Sequence, residues 1–265
     1  VRLQGEDVKR GSELIATGHE MTAGRISLLA AQGRAEVRVG RRPVTGVVAT
    51  GNELREAGQS LAAGQIYESN RAGLAALIRS AGASPHSYPL VSDSLAETKA
   101  ALAAALTECD VVVSSGGVSV GEFDFVKKAF QEIGGQLDFW RVAIRPGKPF
   151  LFGRRGNKFL FGVPGNPVSA FVTFQMLIRP ALLKLQGAAM TTPRTRHGIL
   201  AEELANHGDR RHFLRVRVDW EARVHSAGAQ ASHCLGSLAQ ANGLLDVPPR
   251  TIWEVGKAVR VIDLA

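Results

Sequence analysis

The run Asp110-Val111-Val112-Val113-Ser114-Ser115-Gly116-Gly117 restricts this chain more than any other feature. Three consecutive β-branched residues without polar alternation predict a short strand buried on both faces, and such strands belong to parallel sheets with helices above and below. The strand runs straight into small residues. Glycine there permits backbone angles and close approaches that a side chain would block. Loops after parallel strands gather at one edge of the sheet, where open α/β folds bind ligands. Free N–H groups and hydroxyls on such a loop can hold an anion. Glu122 and Asp124 follow, then a helix with Lys127 and Lys128. An anion cradle beside carboxylates points to phosphate with a divalent cation. A plain strand–turn–helix junction is the competing reading of this stretch alone.

The surrounding sequence repeats the pattern. A strand is predicted over 44–49 with 50–54 as its exit loop. Ser69-Asn70 precedes a helix over 72–80, residues 86–90 read as an edge strand, and Ser94 caps a helix over 95–106. A helix over 125–133 ends at Gly134-Gly135. The apolar stretch 139–144 leads into Arg145-Pro146-Gly147-Lys148-Pro149. A strand over 159–163 leads into Pro164-Gly165-Asn166-Pro167, and a long apolar helix runs from Val168 to about Leu185. This alternation predicts an α/β domain over 43–187, a three-layer α/β/α sandwich with a mostly parallel sheet.

The flanks differ. In 1–42, Thr22 caps a helix over 23–32, Gly33 stops it, and 36–39 alternates like a strand. The segment is too small to bury a core alone, and because it opens on Val1 rather than Met, further sequence is expected before it. Residues 188–265 read as a small β-rich domain: 213–218 alternates apolar and basic, as an antiparallel strand with one wet face does. Residues 255–261 behave similarly, and Asn242-Gly243 and Pro248-Pro249 signal turns. The 32 Lys and Arg exceed the 24 Asp and Glu, a net charge of +8 that favours anionic partners. The arginines form no basic helix stripe, which argues against nucleic acid. Cys109 and Cys234 have no metal-ligand spacing, and a reduced, cytoplasmic setting is expected. No apolar run is expected to span a membrane.

Four loops carry the chemistry, each after a predicted strand: Thr50-Gly51-Asn52-Glu53, 114–124, 145–149 and 162–170. Prolines on both sides of Gly147-Lys148 stiffen that loop, so Arg145 and Lys148 lose little freedom on binding. Ser169 falls in the first turn of a helix, where the dipole favours an anion. The seven histidines are dispersed, and neither a Ser-His-Asp order nor His-Glu-x-x-His is present. Acid–base work falls to Glu53, Glu122 and Asp124, with Glu68 as a further carboxylate.

Five motifs occur in order: Thr-Gly-x-Glu-Leu, Ile-Tyr-x-Ser-Asn, Ser-Gly-Gly-Val-Ser-x-Gly-x-x-Asp, Arg-Pro-Gly-Lys-Pro and Gly-x-Pro-Gly-Asn-Pro-Val-Ser-Ala. Together they resemble the molybdopterin molybdenumtransferases, the MoeA type also found as the E-domain of gephyrin. The resemblance implies insertion of molybdate into adenylylated molybdopterin with release of AMP. It also implies a β-barrel-like C-terminal domain, an incomplete N-terminal domain in 1–42 and a homodimer in the full-length form. Carried over by position, Arg145, Lys148 and Ser169 bind molybdate, with help from Arg210 or Arg211. Ser115, Gly116 and Gly117 hold the phosphate end, and Thr50, Gly51, Ser119, Pro149, Pro164 and Asn166 complete the substrate site. Asp124, Glu53 and Asn52 hold Mg²⁺; Asp124, Glu53 and Lys148 are the catalytic set. The sequence departs from the family at Asn52, where Asp is usual, and at Ser232-His233-Cys234. With these departures and the short N-terminus, the chain as it stands is expected to fold but turn over weakly. A molybdopterin adenylyltransferase on the same sandwich and a non-catalytic scaffold are the alternatives.

Overall fold

The structure is a computed structural model and describes residues 3–117 and 125–264. At the N-terminus, Thr22 Oγ1 accepts from the Arg25 N–H and starts α1 (Ala23–Ala31), as expected. The strand expected over 36–39 does not form. Val37 and Val39 face solvent, and no strand pairs with them, so alternation there has nothing to pack against.

The α/β domain then unfolds in order. It comprises β1 (Val44–Ala49), β2 (Leu54–Arg55), β3 (Ile66–Tyr67), α2 (Asn70–Ser80), β4 (Ser84–Ser87), α3 (Leu95–Glu108) and β5 (Val111–Ser115). It continues through α4 (Phe125–Glu132), β6 (Gln136–Trp140), β7 (Ile144–Arg145), β8 (Leu151–Arg155), β9 (Lys158–Val163) and helix α5 (Pro167–Leu185). Strand order in the main sheet is β4-β1-β5-β9-β8-β6. The first four strands are parallel, and β8 and β6 extend the sheet with antiparallel pairings.

The central strand explains the layers. Val111 and Val113 pack with Leu74, Leu77 and Ile78 of α2 and with Phe174, Ile178 and Leu182 of α5. Val112 points the other way, onto Leu102, Ala105 and Leu106 of α3 and Val126, Ala129 and Phe130 of α4. All three valines are fully buried, each contributing about 1.5–3 kcal/mol. A strand covered on both faces has no polar position, which is why its sequence does not alternate.

Three expectations shift. The edge strand lies at Ser84–Ser87, earlier than 86–90. The apolar stretch 139–144 divides between β6 and β7, which join different sheets. Helix α5 has 19 residues and mean hydropathy 1.3, long and apolar enough to cross a membrane by length and composition, contrary to expectation. Here its buried side chains lie against the sheet and the barrel. It widens into a π turn over Phe174–Ile178, ahead of Pro180, which has no N–H to offer an α-helical bond to Met176.

The last part comprises β10 (Thr195–Leu200), β11 (Leu204–Asn206), β12 (Arg211–Val218), β13 (Arg223–Ser226), α6 (Leu235–Gln240), β14 (Gly243–Val247), β15 (Thr251–Trp253) and β16 (Ala258–Asp263). Strands β13-β10-β16-β14-β12 close into a five-stranded barrel through the β12–β13 pairing. The strand expected over 255–261 starts only at Ala258, because Glu254–Lys257 forms a turn. Two features join barrel and sandwich. Strand β7 pairs in parallel with β12, Ile144 opposite Arg211 and Arg145 opposite His212. A shared apolar cluster packs Val168 and Val172 of α5 with Phe213 and Leu244 of the barrel.

Candidate active site

A cleft of about 1080 Å³ opens where the exits of β1, β5, β7 and β9 meet the barrel. After β1, the Thr50 N–H donates to the Ser115 carbonyl and the Gly51 N–H to that of Val91. A Cβ at Gly51 would lie 2.7 Å from Glu53 Oε2, so glycine lets that carboxylate fold back over the loop. Glu53 is exposed and has no ion pair or hydrogen bond to its side chain among the described residues.

The β5 loop forms the floor. Gly116 and Gly117 have φ of 85° and 63°, in the left-handed region that favours glycine. A Cβ on Gly116 would come within 2.7 Å of the Thr50 carbonyl oxygen. Asn70 Nδ2 donates to both Ser115 Oγ and the Gly165 carbonyl, each at 2.8 Å. It ties the start of α2 to two of the cleft loops. Asn70 stood in the Ile-Tyr-x-Ser-Asn motif without an assigned role.

The cationic side comes from two domains. The β7 loop is closed by bonds from the Val142 N–H to the Lys148 carbonyl and from the Arg141 N–H to that of Phe150. The Arg145–Pro146 bond is cis. Arg145 and Lys148 are exposed, and neither is ion-paired among the described residues. From the barrel, Arg210 Nη1 donates to the Ile144 carbonyl at 3.0 Å. Buried Asn206 fixes that turn, its Nδ2 donating to the carbonyls of Arg210, Val247 and Pro248. Beside this group, buried His212 has no partner on either ring nitrogen among the described residues. Burial, then the charges of Arg145, Arg215 and Arg210, push its pKa down to about 4, so it stays neutral. A second cation there would repel its neighbours; an oxyanion would not.

At the β9 exit, Pro164, Gly165 and Asn166 line the cleft. The barrel caps α5: the Val168 N–H donates to the Ser232 carbonyl and Asn166 Nδ2 to Ser232 Oγ. Pro167 has no N–H, which leaves the N–H and hydroxyl of the nearly buried Ser169 as donors. The Ser232 loop is held from behind by fully buried Arg215. Its Nη2 donates to the carbonyls of Ala229 and Ala231, and its Nε to Ser237 Oγ. Alternation alone would have put Arg215 in water.

The cleft therefore brings together Thr50, Gly51, Glu53, Ser115, Gly116, Gly117, Arg145, Lys148, Pro149, Pro164, Asn166, Ser169 and Arg210. Asn52 is not among its lining residues. Its Oδ1 accepts from the Asp93 N–H at 3.0 Å and its own N–H donates to Asp93 Oδ2, so Asn52 bridges two loops beside the cleft. Asp93, a carboxylate that the sequence reading passed over, lines the cleft instead. Glu68 also lines it but is paired with Arg71. Ser119, Glu122 and Asp124 lie outside the described residues.

Fold and cleft define an α/β/α sandwich with an appended barrel and a cation-lined cleft between them. A family model described as a probable molybdopterin binding domain matches residues 46–184, and one for the MoeA C-terminal region (domain IV) matches 197–264. The chain is 38% identical over 247 residues to the molybdopterin molybdenumtransferase of Haemophilus influenzae, covering 91% of this chain and 61% of that protein. It is 39% identical to molybdopterin molybdenumtransferase 2 of Mycobacterium tuberculosis, covering 100% and 67%. A crystal structure of the molybdopterin biosynthesis MoeA protein from Pyrococcus horikosii superposes with a TM-score of 0.85 at 29% identity, covering 98% of this chain and 64% of that one. The chain belongs to the molybdopterin molybdenumtransferase (MoeA) family and spans about two thirds of the length of these relatives.

Proposed function

We propose that this protein inserts molybdate into adenylylated molybdopterin and releases AMP. The observation that carries the reading is the meeting of a glycine-floored phosphate cradle with three cations from two domains, in a chain matched by both family models. Arg145, Lys148 and Arg210 hold the molybdate dianion through charge-assisted hydrogen bonds, and Ser169 adds donors at the head of α5. Ser115, Gly116 and Gly117 hold the phosphate end of the pterin. The adenylyl P–O bond breaks, the bridging oxygen leaves with the molybdopterin phosphate, and the attacking oxygen (of water or molybdate) completes the phosphate of AMP; where that oxygen is molybdate's, its bond to molybdenum breaks as the dithiolene sulfurs take the metal.

The acid end suits Mg²⁺. Its donors, Glu53 and Asp93, are oxygens, and Mg²⁺ typically takes one or two carboxylates together with substrate phosphates. Among the described residues no cluster of three His, Cys, Asp or Glu could hold a metal alone, so Glu53 would share it with substrate and with Asp124. Bound there, Mg²⁺ would neutralise phosphoanhydride charge. The barrel's match to the MoeA C-terminal region speaks against the adenylyltransferase alternative.

The test is AMP release from adenylylated molybdopterin with and without molybdate. Molybdate-stimulated release, reduced at least tenfold in Lys148→Ala with weaker molybdate binding by calorimetry, is expected. Adenylylation of molybdopterin from ATP would replace this reading by the adenylyltransferase, and no turnover with normal binding would replace it by the scaffold.

A further inference from the structure

Beyond the anion-binding parts, the cleft has an apolar rim that the proposed chemistry does not use. Residues 52–69 leave the sheet as a flap in which β2 and β3 pair in parallel, Leu54 with Ile66 and Arg55 with Tyr67. Leu54, Ile66 and Tyr67 line the cleft. Ile66 is 55% exposed and Tyr67 48%, so apolar surface of the flap faces water.

The flap is bolted down. Arg71, whose side chain is only 12% exposed, donates to Glu68 Oε2, to both oxygens of Glu56 and to the Tyr88 carbonyl. Its neighbour Asn70 is fixed to Ser115 and Gly165. The Tyr67 hydroxyl donates to the Gln59 carbonyl at 2.8 Å. That bond sets the ring's position and removes the hydroxyl from acid–base work, leaving the ring faces. A rigid aromatic loses little entropy when it binds. The volume of the cleft is that of sites for drug-sized ligands and far exceeds a tetrahedral oxyanion.

We propose that this flap is a stacking platform for a planar nitrogen heterocycle, with Tyr67, which lines the cleft, as the stacking surface. The inference deepens the function proposed above and rests on it: the substrate carries two such rings, a pterin and an adenine, joined through phosphates. Aromatic side chains hold bases by their π faces whatever the base. The phosphates of the same molecule reach the Ser115–Gly117 floor.

Calorimetry on the full chain with AMP, with a 6-substituted pterin and with molybdate alone separates the sources. Tyr67→Ala should weaken binding of AMP or of the pterin about tenfold, or about 1.4 kcal/mol, with molybdate affinity within twofold of wild type. Tyr67→Phe should bind the ring ligand nearly as wild type. The ring ligand that responds identifies the end seated on the flap. Unchanged binding of both in Tyr67→Ala overturns the platform, as does an equal loss of molybdate, which would mark Tyr67 as a structural residue only. Failure of the wild type to bind either ring ligand also overturns it. The AMP-release assay then shows separately whether the proposed reaction stands.

Discussion

His212 is the residue whose charge this structure constrains most. It sits on β12 beside Arg145 of β7, with Arg215 on its own strand, Arg210 just before it, and Asp246 and Val247 on β14. Its pKa is pushed to about 4 from an ordinary 6.5. The unfolded chain takes up a proton below pH 6.5 and the native state does not until about 4. Native stability is therefore intact above pH 6.5, falls as pH drops from 6.5 to 4, and levels below, a loss on the order of 3 kcal/mol. Asp110, held below its usual range first by its hydrogen bonds from Arg41, loses stability only at more acid pH. Thermal melts of His212→Leu should be flatter than wild type between pH 6.5 and 4. Parallel profiles would show that His212 is not held neutral. None of this was legible in the sequence. The alternation in 213–218 correctly indicated an antiparallel strand, but it assigned the basic positions to water. Arg217 is exposed while Arg215 is fully buried under the Ala229–Ala231 loop.

At the scale of elements, the Phe130 ring of α4 sits between two glycines. A Cβ at Gly135 or at Gly153 would come within 2.6 Å of the ring, and one at Gly153 also within 2.6 Å of the Gln136 carbonyl oxygen. The ring can swing; the backbone carbonyl of β6 cannot. Gly153→Ala should destabilise the fold by about 1–3 kcal/mol, seen as a lower urea midpoint, with faster amide exchange in β6 and β8. A midpoint equal to wild type would show that this edge has slack. This antiparallel edge was the part of the sheet the sequence hid. Strands β1, β5 and β9 announce themselves by apolar runs, at 47–49, 111–113 and 159–161, because both faces are covered. Strands β6 and β8 mix Arg, Asp, Gly and Phe and owe their pairing to neighbours. Residues 36–39 show the converse, a strand-like pattern with no partner. The cleft loops were legible because proline and glycine mark strand exits. The Asn52–Asp93 bridge was not, since it joins loops 41 residues apart.

For the whole molecule, barrel and sandwich share the β7–β12 pairing and an apolar cluster contributed by α5, Phe213 and Leu244. Unfolding either half would strip both. One cooperative thermal transition is expected, with the fluorescence of Trp140 in the sandwich and of Trp253, packed against the barrel core, changing together when observed in single-Trp variants. Separate midpoints would show two independent units.

Strand β7 also has a mechanical consequence. Its two residues belong by sequence to the sandwich and by hydrogen bonding to the barrel, and the next four residues carry Lys148. The barrel is thus a handle on the oxyanion grip: turning it would drag Arg145 by its backbone and Arg210, which leads into β12, in the same stroke.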